Sequence, residues 1–296
     1  MQLAKADLVL LLGDPDQARS MEFAAHILPL ARRIVPPNLR RLLNRALGRD
    51  IRYTGPYASW SEAVGHAGGY EASEIIERVK RTMLSVLRGD YAYEQDSVGF
   101  RTSLLPEPVL NALHRARRRR AGGGLRVLDF GGALGGLWHR VRPHLGDIDV
   151  SRWYVCEQPH FVSAGKHEFE HGPLRFIEQP AHAVEAGELD LLVLSSVLPY
   201  LEDPLQTLKT LMDLRPSIIL IDRNPLSADQ HSYLLVQHVP AWIYRGSYPI
   251  WLLPEAAIRK TLEPQYVLER SFAVAENPVT CGAIRAEYRG MLWTSQ

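Results

Sequence analysis

The sequence predicts an α/β fold in which a doubly wound, mostly parallel sheet of seven strands is covered by helices on both faces. From Leu125 onward, short runs rich in leucine and β-branched residues alternate with segments of helical length, a pattern typical of parallel sheets. Residues 1–120 lack this alternation and contain helical patches separated by proline, glycine and charged residues. We therefore expect a helical N-terminal extension over 1–120 and the α/β domain over 121–296.

The strands and helices of this domain are predicted in chain order. Asp203 and Pro204 mark the start of one helix, because an aspartate at the N-cap and a proline in the first turn favour helix initiation. Apolar runs predict the strands, at residues 126–130, 153–157, 174–177, 189–196, 217–222, 266–274 and 284–293. The helices are expected near residues 134–145, 159–170, 203–214 and 254–262.

The overall composition is ordinary for a globular protein. Of the 296 residues, 46% are hydrophobic and 23% are charged, and the formal net charge is +1, so nothing global points to nucleic acid. The two cysteines, Cys156 and Cys281, lie far apart, which argues against a disulfide scaffold and fits a reducing cytoplasm. No apolar run reaches the roughly 18 residues that a membrane-spanning helix needs. Together, these two observations lead us to expect a cytoplasmic protein. The histidines show no metal-ligand spacing, so we expect no metal site.

Two segments of the first part are rich in arginine. Residues 28–52 contain seven arginines and one acid, and the leucines among them are spaced for one helical face. This segment is either a solvated arginine face or a peripheral contact with an anionic membrane or glycan, which would bring the protein to the inner membrane face. The run at 115–120 is expected at the exposed end of a helix that begins near Pro106.

The stretch LRVLDFGGALGG, residues 125–136, places Asp129 in an apolar strand that leads into a glycine turn. Doubly wound sheets bind their ligands at such turns. As a dinucleotide motif the stretch lacks its middle glycine, where Ala133 stands, and Asp129 would repel a pyrophosphate. An acid is compatible with S-adenosylmethionine, which carries a sulfonium, an ammonium group and a ribose but no phosphate. The residues predicted to bind this cofactor are Asp129, Gly131, Gly132 and Gly135.

Glu157 ends the second predicted strand and is followed by Gln158. A carboxylate at this place accepts hydrogen bonds from ribose hydroxyls, so Glu157 and Gln158 are predicted to bind a nucleoside. The feature suits NAD and S-adenosylmethionine equally. The alternative is an acid that only precedes the helix beginning at Pro159.

Two serines, Ser195 and Ser196, end the buried strand predicted at 189–196. The carboxyl ends of parallel strands meet at one edge of a sheet, so we expect both serines beside the glycine turn. Their hydroxyl and backbone groups would hold the methionine part of the cofactor. A role confined to the core is the alternative for Ser195.

The motifs VLDFGG, EQPHFV, LSSVLPYLEDP and IDRNPL together resemble the class I S-adenosylmethionine-dependent methyltransferases. More narrowly, the chain resembles a bacterial family of methyltransferases associated with surface-polysaccharide gene clusters, with further similarity in YASWSEA, GYEASEIIERVK, YAYEQDSVGF and SYPIW. The resemblance covers roughly residues 30–295. It implies a Rossmann-like methyltransferase fold with S-adenosylmethionine as the cofactor, and Ala133 is the departure from the usual glycine pattern.

The resemblance also implies that part of the N-terminal segment folds over the cofactor as a lid. The polar segment at 91–100, which contains Tyr93, Glu94, Asp96 and Ser97, is the candidate. Within it we predict Tyr93 as a catalytic residue and Asp96 as a cofactor-binding residue. An ordinary turn is the alternative.

Candidates for activating an acceptor hydroxyl lie after the later strands. Asp222, followed by Arg223, ends a buried strand and is predicted to be the base, with a salt-bridged or capping acid as the alternative. His231 is a second candidate base and His238 a third, although surface or hydrogen-bonded histidines are commoner. Aromatic residues of the 240–251 segment would either contact a sugar ring or pack in the core. They are Trp242, Tyr244, Tyr248 and Trp251.

These features lead to one hypothesis and two rivals. The hypothesis is a methyltransferase that moves a methyl group from S-adenosylmethionine to an oxygen of a small sugar or a glycan intermediate. The first rival is an NAD-dependent sugar dehydrogenase or epimerase, against which Asp129 argues. The second rival is a cofactor-binding scaffold in a glycan assembly complex that has lost acceptor chemistry.

Overall fold

The computed structural model describes residues 50–68, 72–102, 104–240, 243–244 and 246–296. Most of the predicted basic segment, residues 28–49, and the aromatic residue Trp242 lie outside this part of the chain. Among the helices that the structure describes, none is long and apolar enough to cross a membrane.

The chain alternates between strands and helices along most of the described part. The strands are β1 (Arg52–Tyr57), β2 (Tyr93–Gln95), β3 (Val98–Phe100), β4 (Leu125–Phe130), β5 (Val150–Cys156), β6 (Leu174–Ile177), β7 (Leu191–Ser195), β8 (Ile218–Ser227), β9 (Tyr233–Val239), β10 (Gly246–Leu252), β11 (Tyr266–Ala273), β12 (Val279–Cys281) and β13 (Ile284–Ser295). The helices are α1 (Trp60–His66), α2 (Ala72–Leu87), α3 (Glu107–Arg119), α4 (Gly136–Val141), α5 (Pro159–Glu168), α6 (Pro204–Met212) and α7 (Glu255–Leu262).

The large sheet has the strand order β6-β5-β4-β7-β8-β13-β11. The five strands from β6 to β8 are mutually parallel, whereas β13 runs antiparallel to both β8 and β11. Strand β12 adds to this sheet by pairing with β13. All seven predicted strands are therefore present, but the sheet is mixed, so the expectation of a mostly parallel sheet holds for its larger half.

Helices cover both faces of the large sheet, which explains why its central strands are apolar almost throughout. One core joins Val127, Val193 and Leu220 to apolar side chains of α2, α3, α4 and α5. The other joins Leu128 and Leu192 to apolar side chains of α6 and α7. Alternate residues of each strand thus enter opposite cores, as the period of a β-strand requires.

A second, antiparallel sheet of order β1-β9-β10 is absent from the sequence predictions. Strand β1 comes from the first part of the chain and pairs with β9, which follows the last parallel strand. The described portion of residues 1–120 also contains the hairpin β2–β3. The predicted extension is therefore not wholly helical, and β1 shares a sheet with the segment that follows β8.

The arginine run at 115–120 lies at the end of α3, as expected, but several of its side chains bind back to the protein. Arg115 pairs with Glu269 at 3.0 Å, and Arg119 donates to the backbone oxygen of Ser295 at 3.2 Å. Arg120 lies 2.6 Å from the buried carboxylate of Asp190, next to the start of β7. These contacts fasten α3 across the large sheet, so the run is more than a solvated helix end.

Two helical glycines form a matched pair for testing the packing. A methyl group on Gly165 of α5 would lie 2.3 Å from the Phe176 ring, whereas one on Gly65 of α1 would meet nothing within 4 Å. We expect Gly165→Ala to lower the free energy of unfolding by about 1–3 kcal/mol through overpacking. Gly65→Ala should raise it by up to about 1 kcal/mol through helix propensity. Urea unfolding of both variants measures the two effects, and equal effects of the same sign would contradict this packing.

Candidate functional site

The glycine turn after β4 has an unusual backbone. Gly131, Ala133 and Gly135 have φ angles of 77°, 50° and 80°, in the left-handed region that glycine adopts without strain. Gly131 N–H donates to the carbonyl of Cys156 at 2.9 Å, which ties the turn to the end of β5. Ala133 thus adopts the left-handed conformation without being glycine, and the turn forms despite the departure noted in the sequence.

Asp129 lies beneath this turn and is only 2% exposed. A Cβ on Gly132 would lie 2.5 Å from Asp129 Oδ2, so the glycine leaves room for the carboxylate. Trp153 Nε1–H donates to the same oxygen at 3.4 Å. Burial, reinforced by the charge of Glu157, raises the pKa of Asp129 to about 7. The side chain is therefore an acid poised near neutrality under the turn, and it is enclosed rather than open to solvent.

Glu157 reaches the same turn from the end of β5. Its Oε1 accepts from the backbone N–H of Ala133 at 3.2 Å, and its Oε2 accepts from that of Gln158 at 2.9 Å. Burial raises the pKa of Glu157, although these two hydrogen bonds oppose the shift. Asp129 and Glu157 thus contact successive residues of one turn, while Gln158 is exposed at the start of α5.

The end of β7 abuts the glycine turn from the other side. A Cβ on Gly131 would lie 2.4 Å from a methyl carbon of Val197. Ser195 pairs with Asp222 across β7 and β8, and Ser196 N–H donates to the carbonyl of Asp222 at 2.9 Å. The predicted serines therefore lie between the turn and Asp222, as the meeting of strand ends requires.

The hairpin β2–β3 brings Glu94 to the glycine turn, although the sequence did not indicate this residue as part of the site. A Cβ on Gly136 would lie 2.6 Å from Glu94 Oε2, and Glu94 Oε1 accepts from Ser97 N–H at 2.7 Å. Burial raises the pKa of Glu94 to about 7, and Asp96 adds to the shift. The only sequence signal was its place in the polar segment at 91–100. Glu94, rather than Asp96, is the hairpin acid that touches the glycine turn.

Tyr93, predicted as catalytic, is 3% exposed. Its ring stacks on Phe100 with a centroid distance of 4.8 Å, and the Arg140 guanidinium lies 4.2 Å from its centroid on the side of α4. Arg140 Nη1 also donates to Gln95 Oε1 at 3.3 Å. These contacts favour a packing role for Tyr93, in which it holds the hairpin against α4.

Asp222 and Arg223 form the charged end of the site in β8. Asp222 is 8% exposed, and its Oδ1 accepts from Arg223 N–H at 2.9 Å. Burial raises the pKa of Asp222, although Arg223 opposes the shift. The Arg223 guanidinium lies 2.5 Å from carboxylate oxygens of Asp96 and of Glu276. Asp96 is thus paired with Arg223, and its contact with the cofactor stays a prediction.

His231, the second candidate base, lies in the exposed turn between β8 and β9. Its side chain is 77% exposed, and its Nδ1 is 3.6 Å from Asp229. His238 of β9 instead makes a 3.0 Å hydrogen bond with Thr54 Oγ1 of β1. The contacts of both histidines are within the small sheet and its turn, so the structure does not bring them to the glycine turn.

Left-handed backbone is concentrated around these residues. Six non-glycine residues of the described part have positive φ. Five of them belong to the hairpin, to the glycine turn, to the end of β7 or to the point in β8 where its pairing with β7 stops. They are Asp96, Ser97, Ala133, Ser196 and Arg223. Such conformations cost free energy and persist where the surroundings enforce them, often at functional sites. This concentration supports treating the strand ends and the hairpin as one site.

No family model and no curated protein sequence matches this chain. Among solved structures, it is similar to the N-terminal domain of EvdMO1 with S-adenosylhomocysteine bound (13% identity, 77% of this chain and 98% of that one, TM-score 0.46). It is also similar to an S-adenosylmethionine-dependent methyltransferase from Clostridium acetobutylicum (12%, 73% and 98%, TM-score 0.44). A third is the glycopeptide N-methyltransferase MtfA with S-adenosylmethionine (14%, 64% and 94%, TM-score 0.41). These similarities are distant.

The buried charge of Asp129 predicts a pH-dependent cost to stability. Because its pKa is about 7 in the folded protein and near 4 when unfolded, the proton it holds stabilises the fold at low pH. This stabilisation is lost as the pH rises from about 4 to about 7. Asparagine stays neutral and can still accept from Trp153, so Asp129→Asn should be more stable than the wild type at pH 8, by roughly 1 kcal/mol or more.

Urea unfolding at pH 5 and pH 8 measures this difference. The exposed Asp147 provides a control, since Asp147→Asn should leave the difference between the two pH values unchanged. An Asp129→Asn variant that is less stable than the wild type at pH 8 would rule out a buried, destabilising charge.

Proposed function

We propose that this protein is a class I S-adenosylmethionine-dependent methyltransferase that transfers a methyl group to a hydroxyl oxygen of a small sugar or a glycan intermediate. The observation that carries the proposal is the set of acids around one glycine turn. Asp129 lies under Gly132, Glu157 binds Ala133 N–H, and Glu94 lies against Gly136. These carboxylates suit a nucleoside ligand with positive charge and no phosphate.

The same acids disfavour the rival dehydrogenase or epimerase. A dinucleotide places its pyrophosphate on the glycine turn and the following helix N-terminus. Here a pyrophosphate would approach Asp129, Glu157 and Glu94 in surroundings where burial strengthens repulsion between like charges. A sulfonium and an ammonium group would instead be attracted by them. The negative charge at the turn therefore favours a methyltransferase over a dinucleotide-dependent dehydrogenase or epimerase.

The residues at the turn fit the parts of S-adenosylmethionine. Glu157 would accept hydrogen bonds from the ribose hydroxyls, with Gln158 beside it at the start of α5. Glu94 and the backbone of Ser195 and Ser196 would hold the methionine part, and Asp129 would act through its charge from beneath the turn. When bound, this cofactor supplies a methyl group on a positively charged sulfur, which leaves as a neutral thioether.

Asp222 is the residue we propose as the base. It lies beside Ser195 at the strand ends, and its raised pKa makes it a better proton acceptor near neutral pH than an exposed aspartate. Asp222 would accept the proton of the acceptor hydroxyl on a carboxylate oxygen, which would leave the acceptor oxygen free to take the methyl group. Arg223 keeps that carboxylate in place through its backbone N–H.

The setting of the reaction belongs to the same proposal. We place the protein in the cytoplasm, with a small-molecule sugar or glycan rather than a nucleic acid as its partner. The arginines of residues 28–52 would provide a peripheral contact with the inner membrane face, where lipid-linked glycan intermediates are accessible. Binding to anionic vesicles, compared with neutral ones, tests this contact.

Substitutions at the turn should weaken cofactor binding. We expect Asp129→Ala and Glu157→Ala each to lower the affinity for S-adenosylhomocysteine at least tenfold, about 1.4 kcal/mol, because each removes a carboxylate that faces the turn. Titration calorimetry measures the affinity, and NAD should give no binding heat. Glu188, exposed just before β7 at the opposite edge of the sheet, is a matched control, and Glu188→Gln should bind as the wild type does. Unchanged affinity in both alanine variants would reject this cofactor site.

Removal of the base should separate binding from turnover. Asp222→Asn should retain affinity for S-adenosylhomocysteine within about twofold and lose at least 100-fold in methyl transfer, the usual contribution of general base catalysis. Transfer of labelled methyl groups from S-adenosylmethionine to glycans of the source organism measures turnover. Asp213→Asn, an exposed substitution after α6, should transfer normally. Normal turnover by Asp222→Asn would exclude Asp222 as the base.

A further inference from the structure

A row of hydroxyl and amide groups lies on one face of the small sheet. Tyr200 O–H donates to Gln237 Oε1 at 3.2 Å, Gln237 Nε2–H donates to the Tyr248 hydroxyl at 3.3 Å, and the hydroxyls of Tyr248 and Tyr244 are 2.9 Å apart. The rings of Tyr200 and Tyr248 meet edge to face at 5.3 Å. We call these four residues the tyrosine cluster.

The tyrosine cluster adjoins the proposed reaction site. Tyr200 ends the 3-10 turn Leu198–Tyr200, which follows directly from Ser195 and Ser196. The face of the small sheet that carries Gln237 and Tyr248 also packs Leu235 and Ile250 against residues of β12 and β13. The cluster therefore lies between the small sheet and the strand ends that carry Asp222.

The three tyrosines of the cluster are partly buried and partly exposed to solvent. Each is half-buried, so part of its surface remains in contact with solvent. Burial nevertheless raises the pKa of Tyr200 and Tyr248, and the carboxylate of Asp96 adds to the shift. Side chains that are surrounded on most sides and still partly exposed can offer their hydroxyl groups to a ligand. The charges of Asp96 and Arg223 act on Tyr200, so this pair lies close to the tyrosine cluster.

The charges beside the tyrosine cluster are three carboxylates and two guanidiniums, since Arg140 also acts on Asp222. Arg223 is engaged on both sides by Asp96 and Glu276, so its positive charge is already balanced. Asp222, next to Arg223 in the chain, adds a further carboxylate. Like charges this close repel an incoming anion, whereas an uncharged ligand is unaffected.

We propose that the tyrosine cluster binds the methyl acceptor, and that the acceptor is an uncharged, polyhydroxylated ring such as a pyranose. This inference rests on the proposed function and specifies where the acceptor binds and which acceptors are excluded. Phenol hydroxyls and a primary amide both donate and accept hydrogen bonds, as the vicinal hydroxyls of a sugar do. The aromatic rings provide apolar surface for the ring carbons. Uronic acids and phosphorylated sugars are disfavoured.

Saturation-transfer NMR on the full chain with S-adenosylhomocysteine present tests this inference. The probes are the methyl glycopyranosides of glucose, galactose and mannose, the corresponding glucuronide and galacturonide, and catechol as a planar phenol. We expect saturation transfer to at least one neutral glycoside, and at least threefold less to its uronate and to catechol.

Variants within the tyrosine cluster assign the signal to these residues. Gln237→Leu and Tyr248→Phe, which alter two different strands, should each reduce transfer to the neutral glycoside at least threefold. Their affinity for S-adenosylhomocysteine should stay within twofold of the wild type, which also shows that they fold. Tyr233→Phe is the matched control on the same sheet, because its hydroxyl binds Asp229 in the exposed turn, and it should leave the signal unchanged.

The outcomes separate this inference from the proposed function. If S-adenosylhomocysteine binds, the cofactor proposal stays intact, and three results would still overturn the inference. They are no saturation transfer to any glycoside, stronger transfer to a uronate or catechol, and an undiminished signal in both cluster variants. Transfer to a neutral glycoside without binding of S-adenosylhomocysteine keeps the sugar site and overturns the cofactor. Binding of neither ligand overturns both.

Discussion

Acids buried around the turn between β4 and α4 impose the main constraint on this structure. Asp129 from below, Glu157 from β5 and Glu94 from the hairpin all contact residues of one turn and its helix. The pKa of each carboxyl group is raised because burial disfavours its charged form more than nearby hydrogen bonds and positive charges favour it. The arrangement costs stability, so its presence is understandable if a cationic ligand compensates when it binds.

The N-terminal part of the described chain completes this site rather than standing apart from it. The hairpin β2–β3 rests on α4 through Tyr93 and Arg140 and reaches β8 through Asp96 and Arg223. Strand β1 extends the small sheet, whose other strands carry Gln237 and Tyr248. The proposed cofactor and acceptor sites therefore both contain residues from the two halves of the sequence.

The sequence predicts the features that depend on local pattern. Apolar runs gave the strands of the large sheet, and the meeting of parallel strand ends correctly brought Glu157, Ser195 and Asp222 near the glycine turn. The small sheet was missed because β1 comes from a distant segment and β9 carries polar residues such as Gln237. The sequence indicated Asp96 and not Glu94, because it does not show which way each side chain of this hairpin points. Tertiary packing decides that direction. The sequence also could not show that His231 lies in an exposed turn between β8 and β9, and its role as a base stays a prediction.

The position of β13 has a consequence for how the chain acquires its shape. This strand lies between β8 and β11, although it is synthesised after both. Until β13 has been synthesised and has paired with it, β8 presents an open, apolar edge that can pair with other nascent chains. The strand that bears Asp222 is therefore closed last, and expression at low temperature or with chaperones should favour the correct partner over aggregation.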